Sequence, residues 1–152
     1  MRHHILIILM FMCIGVMVGL GAYIFIYAKG YSYLSNDPKA CANCHIMQEH
    51  FDSWIKSSHH NVATCNDCHT PHGLIEKYLA KAKNGYNHSK AFTLQNFPQP
   101  IRITKSNLED LQHNCIECHA TMVGDIAAHR DIGKGQARCT QCHRSTGHMN
   151  LD

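Results

Sequence analysis

Cys41-Ala42-Asn43-Cys44-His45 is the first of four copies of one pattern, Cys-x-x-Cys-His, around which the whole chain is organised. The other copies lie at 65–69, 115–119 and 139–143. Two thiols at this spacing can form thioethers to both vinyl groups of one haem, and the following histidine can bind its iron. The sequence therefore predicts four covalently bound c-type haems, attached through Cys41, Cys44, Cys65, Cys68, Cys115, Cys118, Cys139 and Cys142.

Paired Cys-x-x-Cys motifs also occur in zinc ribbons and in redox disulfides. A zinc ribbon needs two cysteine pairs but has no need of a histidine directly after each pair. One such histidine is a weak signal, whereas four at the same position favour haem.

Composition limits the remaining possibilities. The chain has 152 residues with 9 Cys and 14 His, and the motifs use eight of the cysteines, so only Cys13 is left over. A formal net charge of +3 without a long basic run gives no indication of nucleic-acid binding. Beyond residue 28 the sequence has few apolar runs, so we expect the haems to supply much of the core.

An apolar segment, Ile5 to Ala28, precedes the motifs and contains no charged side chain. It is long enough to cross a bilayer as one helix. Gly19-Leu20-Gly21 resembles a signal-peptidase site, but the apolar run continues beyond it with interfacial aromatics, which favours an uncleaved anchor. We therefore expect an anchor at 5–28 and a haem domain at 29–152.

The position of the haems predicts the orientation. Because c-type haem is attached outside the bacterial cytoplasmic (inner) membrane, the haem domain should be periplasmic and the N-terminus cytoplasmic. The connector after the anchor is short and includes Ser35-Asn36-Asp37-Pro38. We therefore expect the first haem to lie close to the bilayer.

The fold class indicated is mainly α with extensive loops. The motif starts are separated by 24, 50 and 24 residues, which suggests two dihaem halves. The best helix runs from Leu74 to Ala91, and the Pro98–Pro100 segment ends it. No alternating pattern indicates a strand.

Each iron of a low-spin carrier needs two axial ligands on opposite faces. The motif histidines His69, His119 and His143 are the default ligands on one face. A residue three to five positions from its own motif can hardly reach the far face, so we expect nearby histidines to serve neighbouring haems. The distal candidates are His60, His72 and His148, ranked ahead of His50, His59, His113 and His129.

The first motif differs from the others because it continues as Cys-x-x-Cys-His-Ile-Met. Met47 is either a packing residue or a thioether ligand that replaces His45. A weakly ligated iron beside the bilayer would suit a lipid-soluble reductant.

The anchor, the four motifs, the methionine after the first motif and the Cys-x-x-Cys-His-x-Pro-His form of the second at 65–72 closely resemble the NapC/NrfH family of membrane-anchored multihaem cytochromes. The resemblance covers nearly the whole chain. It implies a quinol dehydrogenase that passes electrons from menaquinol through four haems to an NrfA-like periplasmic pentahaem nitrite reductase, within a membrane complex holding more than one copy of the chain. It further implies that Met47 rather than His45 ligates the first iron.

The quinol site is expected between the first haem and the 74–91 helix. Lys81 matches a lysine of the family, and His88, seven residues later, lies on the same helix face. The family's carboxylate is missing from Asn87-His88-Ser89, so His88 is our candidate proton acceptor. The alternatives are a NapC-like quinol-oxidising donor to another periplasmic reductase, such as nitrate reductase, and a non-catalytic haem electron relay.

Overall fold

A computed structural model of the chain describes residues 2–129, 132 and 137–148, and every regular element within those ranges is a helix. The chain divides into two compact units, Met1–Tyr33 and Leu34–Asp152. The predicted mainly α fold with long loops is confirmed.

The first unit is dominated by α1, Arg2–Tyr27, a helix of 26 residues. At 1.5 Å per residue it is about 39 Å long, against a bilayer hydrocarbon core of about 30 Å. None of its residues is buried against protein. Among the described helices, α1 alone meets the length and hydropathy required to cross a membrane.

Within the described residues, the second unit contains six short or medium α-helices joined by loops and 3₁₀ turns. The helices are α2 Gln48–Ile55, α3 Cys65–His69, α4 Leu74–Leu94, α5 Lys105–Cys118, α6 Ala120–Asp125 and α7 Cys139–Cys142. The described 3₁₀ turns are Gly30–Leu34, Pro38–Asn43, His45–Met47 and Ala127–His129. The first of them spans the boundary between the two units.

The longest helix of this unit, α4, begins at Leu74 as the sequence predicts and runs three residues beyond the predicted Ala91. Gly73 is extended before it, and Glu76 in the first turn complements the positive helix end. Gln95 ends the helix in a left-handed conformation with φ 52°. The prolines that follow cannot resume a helix.

Packing between the helices brings the motif-bearing segments together. α3 packs against α5, and α5 also contacts α6 and α7. The Pro38–Asn43 turn, which carries the first motif cysteine, contacts both α2 and α3. All four haem motifs therefore belong to one connected group of elements.

Apolar side chains contribute little to the interior of this unit. Among the described residues the only buried apolar side chain is Ile132, while the buried polar residues are Ser53, Thr70, Lys81 and Asn114. A 100-residue domain normally depends on apolar burial for its stability. The sparse core agrees with the sequence-based expectation that prosthetic groups must supply much of it.

Candidate haem and quinol sites

The four motifs sit on tight helical turns. Cys65 to His69 forms α3 itself, while Cys115 and Cys118 lie in the last turn of α5. Cysteines three apart on one turn face the same side, as attachment to one flat macrocycle requires. None of the nine cysteines is in a disulfide.

The first and second motifs adjoin through their leading cysteines. The thiols of Cys41 and Cys65 are hydrogen-bonded, which lowers the pKa of Cys41 to about 7 and raises that of Cys65. The nearby Lys81 ammonium also lowers the pKa of Cys41. These thiols become thioethers on haem attachment, so the hydrogen bond itself is then lost. The two attachment sites nevertheless remain neighbours.

The later motifs adjoin in the same way. Burial, together with the hydrogen-bonded thiol of Cys139 from the fourth motif, raises the pKa of Cys115 to about 11. Burial also raises the pKa of Cys68, and Cys118 is close enough to add to the effect. Cysteines of the first motif therefore lie near those of the second, those of the second near the third, and those of the third near the fourth.

Three histidine pairs face each other across a constant distance. The ring-centre distances are 6.1 Å for His69 and His148, 6.0 Å for His59 and His119, and 6.3 Å for His129 and His143. Two imidazoles bound to one metal at about 2.0–2.1 Å, with ring centres about 1.1 Å behind each nitrogen, stand about 6.3 Å apart. Each pair joins a motif histidine to one from elsewhere in the chain, so the two rings of each pair would be able to hold one haem iron between them.

The interplanar angles distinguish the pairs. The planes of His69 and His148 are 13° apart, whereas those of His59 and His119 are 72° apart. The third pair, formed by His129 with a motif histidine, is crossed at 73°. The ring planes are therefore nearly parallel in one histidine pair and nearly perpendicular in the other two.

The loop after α2 determines which of two adjacent histidines faces a motif. Trp54 donates its indole N–H to the carbonyl of Ala63 at 3.1 Å, and the His60 ring packs edge-on against the indole at 5.9 Å. His59 faces the other way, with its Nδ1 3.1 Å from the Ser58 hydroxyl. A partner at one ring nitrogen is typical of a histidine that binds metal through the other.

Both ring nitrogens of His72 lie beside protein oxygens. Its Nε2 lies 3.0 Å from the carbonyl oxygen of Asp67, and its Nδ1 lies 3.0 Å from a carboxylate oxygen of Glu117. His113 approaches the same carboxylate oxygen at 3.8 Å. This structure places His72 as a link between the second and third motifs.

Half-buried histidines surround the second motif. Burial, together with repulsion from His148 and His50, lowers the pKa of His69 to about 4. His50 packs edge-on against His148 at 5.0 Å, too close for a shared iron, and its buried Nδ1 has no protein partner. His129 likewise has a buried Nδ1 without a hydrogen-bond partner among the described residues.

Of the three paired histidines outside the motifs, His148 is among the distal candidates preferred from the sequence, whereas His59 and His129 are among the lower-ranked ones. His59 and His60 are adjacent in the chain, but their rings have different neighbours: His59 pairs with His119, and His60 packs against Trp54. His129 lies in a 3₁₀ turn, where no periodic pattern marks it.

The first motif lacks a facing histidine pair among the described residues. His45 and Met47 share the short turn His45–Met47, in which His45 is exposed and Met47 is half-buried. Both remain within reach of the same attachment site, so the choice between them stays a prediction.

The two proposed quinol residues lie on α4. Lys81 is only 5% exposed, and its ammonium donates to the Ser35 carbonyl and to Asn36 Oδ1, both at 2.8 Å. Burial lowers the pKa of Lys81, and repulsion from Lys77 lowers it further. His88 is exposed, although neighbouring atoms surround its ring closely enough to lower its pKa by burial.

A zinc site of the kind weighed from the sequence needs a cluster rather than a pair. Within residues 2–129, 132 and 137–148, no three His, Cys, Asp or Glu side chains converge as a metal-ion site would require. The described donors instead form facing pairs, the arrangement that a planar macrocycle needs.

Comparison with known families gives one match along the entire chain. The model of the NapC/NirT cytochrome c family, N-terminal region, matches residues 1–152.

Individual relatives agree with this match. The cytochrome c-type protein NrfH of Wolinella succinogenes is 39% identical over 140 residues, covering 86% of this chain and 79% of that protein. The nitrite reductase subunit NrfH of Nitratidesulfovibrio vulgaris is 32% identical over 124 residues, covering 82% and 74%. The cytochrome c-type protein NapC of Escherichia coli K12 is 28% identical over 142 residues, covering 78% and 71%.

A solved structure shares the fold. The crystal structure of a cytochrome c nitrite reductase NrfHA complex, bound to the inhibitor HQNO, contains a chain with a TM-score of 0.68 and 27% identity, and the match covers 92% of both chains.

Proposed function

We propose that this chain, which belongs to the NapC/NirT cytochrome c family, oxidises a membrane quinol of the menaquinol type and passes the electrons through four c-type haems to an NrfA-like periplasmic nitrite reductase. The observation that carries the proposal is the set of three histidine pairs at 6.0–6.3 Å, each joined to a Cys-x-x-Cys-His motif. The apolar helix α1 and the likeness to two NrfH proteins support a membrane-bound donor.

The ligand assignment follows the pairs. We assign His148 opposite His69, His59 opposite His119, and His129 opposite His143. His60 and His72, the other distal candidates from the sequence, instead contact Trp54, and Asp67 and Glu117, respectively. For the first motif we retain Met47 as the ligand, with His45 as the alternative.

Motif order gives the order of electron transfer. When bound, the haems supply a series of one-electron acceptors and donors. Because the cysteines of consecutive motifs adjoin, the attachment sites form a row from the first motif to the fourth. We therefore place electron entry at the first motif and exit at the fourth.

The protein's own groups handle the protons. Oxidation of one quinol to quinone releases two electrons and two protons. The Lys81 ammonium can donate a hydrogen bond to a quinol oxygen and stabilise negative charge as a proton leaves. His88, whose pKa is lowered, is neutral near pH 7 and can accept a proton from the same side of α4.

The location follows from the anchor. We propose a single-pass protein of the bacterial inner membrane with its haem domain in the periplasm, where c-type haem is attached.

A donor to a different periplasmic reductase is the second candidate, because NapC of Escherichia coli K12 is also a relative, at 28% identity. The identities to the two NrfH proteins are higher, at 39% and 32%. We therefore prefer a nitrite reductase as the acceptor.

Purification from native membranes tests the proposal. The full-length chain, extracted in a mild detergent, should carry four haems per chain and a nitrite reductase that turns over with a menaquinol analogue as donor. Co-purification of a nitrate reductase would favour the NapC-like alternative. A chain that accepts electrons from a protein donor but never from quinol would be a haem relay, and the proposed activity would be wrong.

A further inference from the structure

The connector between the anchor and the first motif reaches across the fold to the α4 lysine. Lys81 Nζ lies 2.8 Å from the carbonyl oxygen of Ser35 and 2.8 Å from Asn36 Oδ1, residues 46 and 45 positions away in the chain. A nearly buried ammonium is stable only if acceptors replace the water it has lost. These two oxygens are those acceptors.

The geometry of the connector keeps both oxygens in place. The backbone N–H of Asp37 donates to the Ser35 hydroxyl at 3.0 Å, and that of Lys39 donates to Asp37 Oδ1 at 2.9 Å. Pro38 begins the 3₁₀ turn that leads directly to Cys41. The segment that holds the ammonium is therefore continuous with the first haem attachment site.

Other contacts complete the surroundings of the ammonium. The Tyr78 ring centre is 5.5 Å from Lys81 Nζ, within range of a cation–π interaction. The ammonium also lies near Cys41, the first cysteine of the first motif. Lys81 is thus fixed beside the first motif by groups from two separate segments of the chain.

We propose that Asn36 is a positioning residue of the quinol site, whose side-chain oxygen, together with the Ser35 carbonyl, directs the Lys81 ammonium toward a bound para-quinol. Two N–H groups are held by the connector, which leaves the third to bond a quinol oxygen. This inference rests on the proposed function, because it needs a quinol beside Lys81. It assigns a role to a residue that no motif marks.

Substitution of Asn36 is a practical test because its side chain is exposed and contributes little packing. Asn36→Ala removes one acceptor, whereas Asn36→Asp keeps an oxygen at the same position. Asn61, which is also exposed, provides the matched control Asn61→Ala.

The primary measurement is the affinity of the haem-loaded, full-length protein for HQNO, the inhibitor bound in the related NrfHA structure. Loss of one hydrogen bond to a charged group should raise the dissociation constant about fivefold to tenfold in Asn36→Ala. Asn36→Asp and Asn61→Ala should stay within about twofold of the original chain. Haem content and the thermal unfolding midpoint should not change in any of the three.

A double-mutant cycle separates positioning from a general effect. In a Lys81→Leu background, Asn36→Ala should have no further effect on HQNO affinity, since its action depends on the ammonium. An additive loss in the double variant would overturn the inference, and so would an unchanged affinity in Asn36→Ala alongside a large loss in Lys81→Leu. If the original chain does not bind HQNO and Lys81→Leu has no effect on quinol oxidation, both the proposed quinol site and this inference are wrong.

Discussion

At the scale of single residues, the proposed ligand assignment depends on what each histidine ring nitrogen contacts. His72 has both nitrogens engaged by protein oxygens, while His59 has one nitrogen beside Ser58 and faces a motif histidine. His129 has a buried nitrogen that lacks a protein partner. These differences imply a distinct outcome for each substitution.

Replacing the facing histidines should change iron spin state. His59→Ala and His129→Ala should each convert one low-spin haem to high-spin, because each removes one of two axial nitrogens. Electron paramagnetic resonance of the oxidised protein measures the change. His60→Ala and His72→Ala are the controls, and a new high-spin signal in either control without one in His59→Ala or His129→Ala would reverse the ligand assignment.

The charge on Lys77 should influence the pH dependence of quinol oxidation. Lys77 repels the Lys81 ammonium and contributes to the lowered pKa of Lys81. Lys77→Met should therefore raise that pKa, so activity that needs the ammonium persists to higher pH. The measurement is the alkaline limb of kcat/KM against pH at low salt, with Lys90→Met as the control.

Salt provides a second check on this prediction. Repulsion between partly exposed charges is screened within about 10 Å at 0.1 M salt. The difference between Lys77→Met and the original chain should therefore shrink as salt is added. An alkaline limb that moves to lower pH in Lys77→Met would contradict the assignment of the ammonium as the active form.

At this scale the sequence alone predicts those residues whose spacing is set by haem-attachment chemistry. The haem cysteines and the motif histidines follow from the thioether spacing alone. Spacing does not show which of His59 and His60 pairs with a motif histidine. That depends on the conformation of the loop, in which the Trp54 indole N–H donates to the Ala63 carbonyl. Asn36 carries no pattern at all, and only its distance from Lys81 identifies it.

At the scale of elements, one side chain joins the second motif to the third. Asn114, 2% exposed on α5, donates to the carbonyls of Cys68 at 3.1 Å and of Thr70 at 2.8 Å. Gln112 accepts from the backbone N–H of Cys139 at 2.9 Å, which ties the fourth motif to the same helix. α5 thus fixes the relative positions of three attachment sites.

Loss of the Asn114 amide should destabilise the haem domain. Asn114→Ala leaves two carbonyl groups without their partner, at a cost of about 1–3 kcal/mol. The midpoint of guanidinium unfolding of the haem-loaded protein should fall accordingly. Asn87→Ala, at an exposed position on α4, is the control, and an equal midpoint for both variants would show that Asn114 is not a structural link.

Helix α4 was predictable because Gly73, the helical spacing after Leu74 and the later prolines mark its ends. The contact between α3 and α5 was not, since neither helix has an apolar stripe that would reveal its neighbour. Buried polar groups such as Asn114 and Thr70 make that contact, and their pairing is set by tertiary structure. The sequence indicates the four motifs and their order along the chain. It does not indicate which side chains form the hydrogen bonds between them.

At the scale of the whole molecule, an apolar helix of 26 residues precedes a domain whose described part has one buried apolar side chain. This division of apolar residues is explained if lipid surrounds the first unit and haem fills the second. The central claim is then that the anchored chain takes electrons directly from a quinol dissolved in the bilayer.

The most direct test is stopped-flow absorbance of haem reduction by a menaquinol analogue, with the full-length protein in liposomes. We expect quinol to reduce the haems of the full-length chain, and removal of residues 2–27 to slow this reduction by at least about tenfold while leaving dithionite reduction unchanged, because the quinol remains in lipid. A full-length protein that dithionite reduces completely and quinol does not reduce at all would contradict the account.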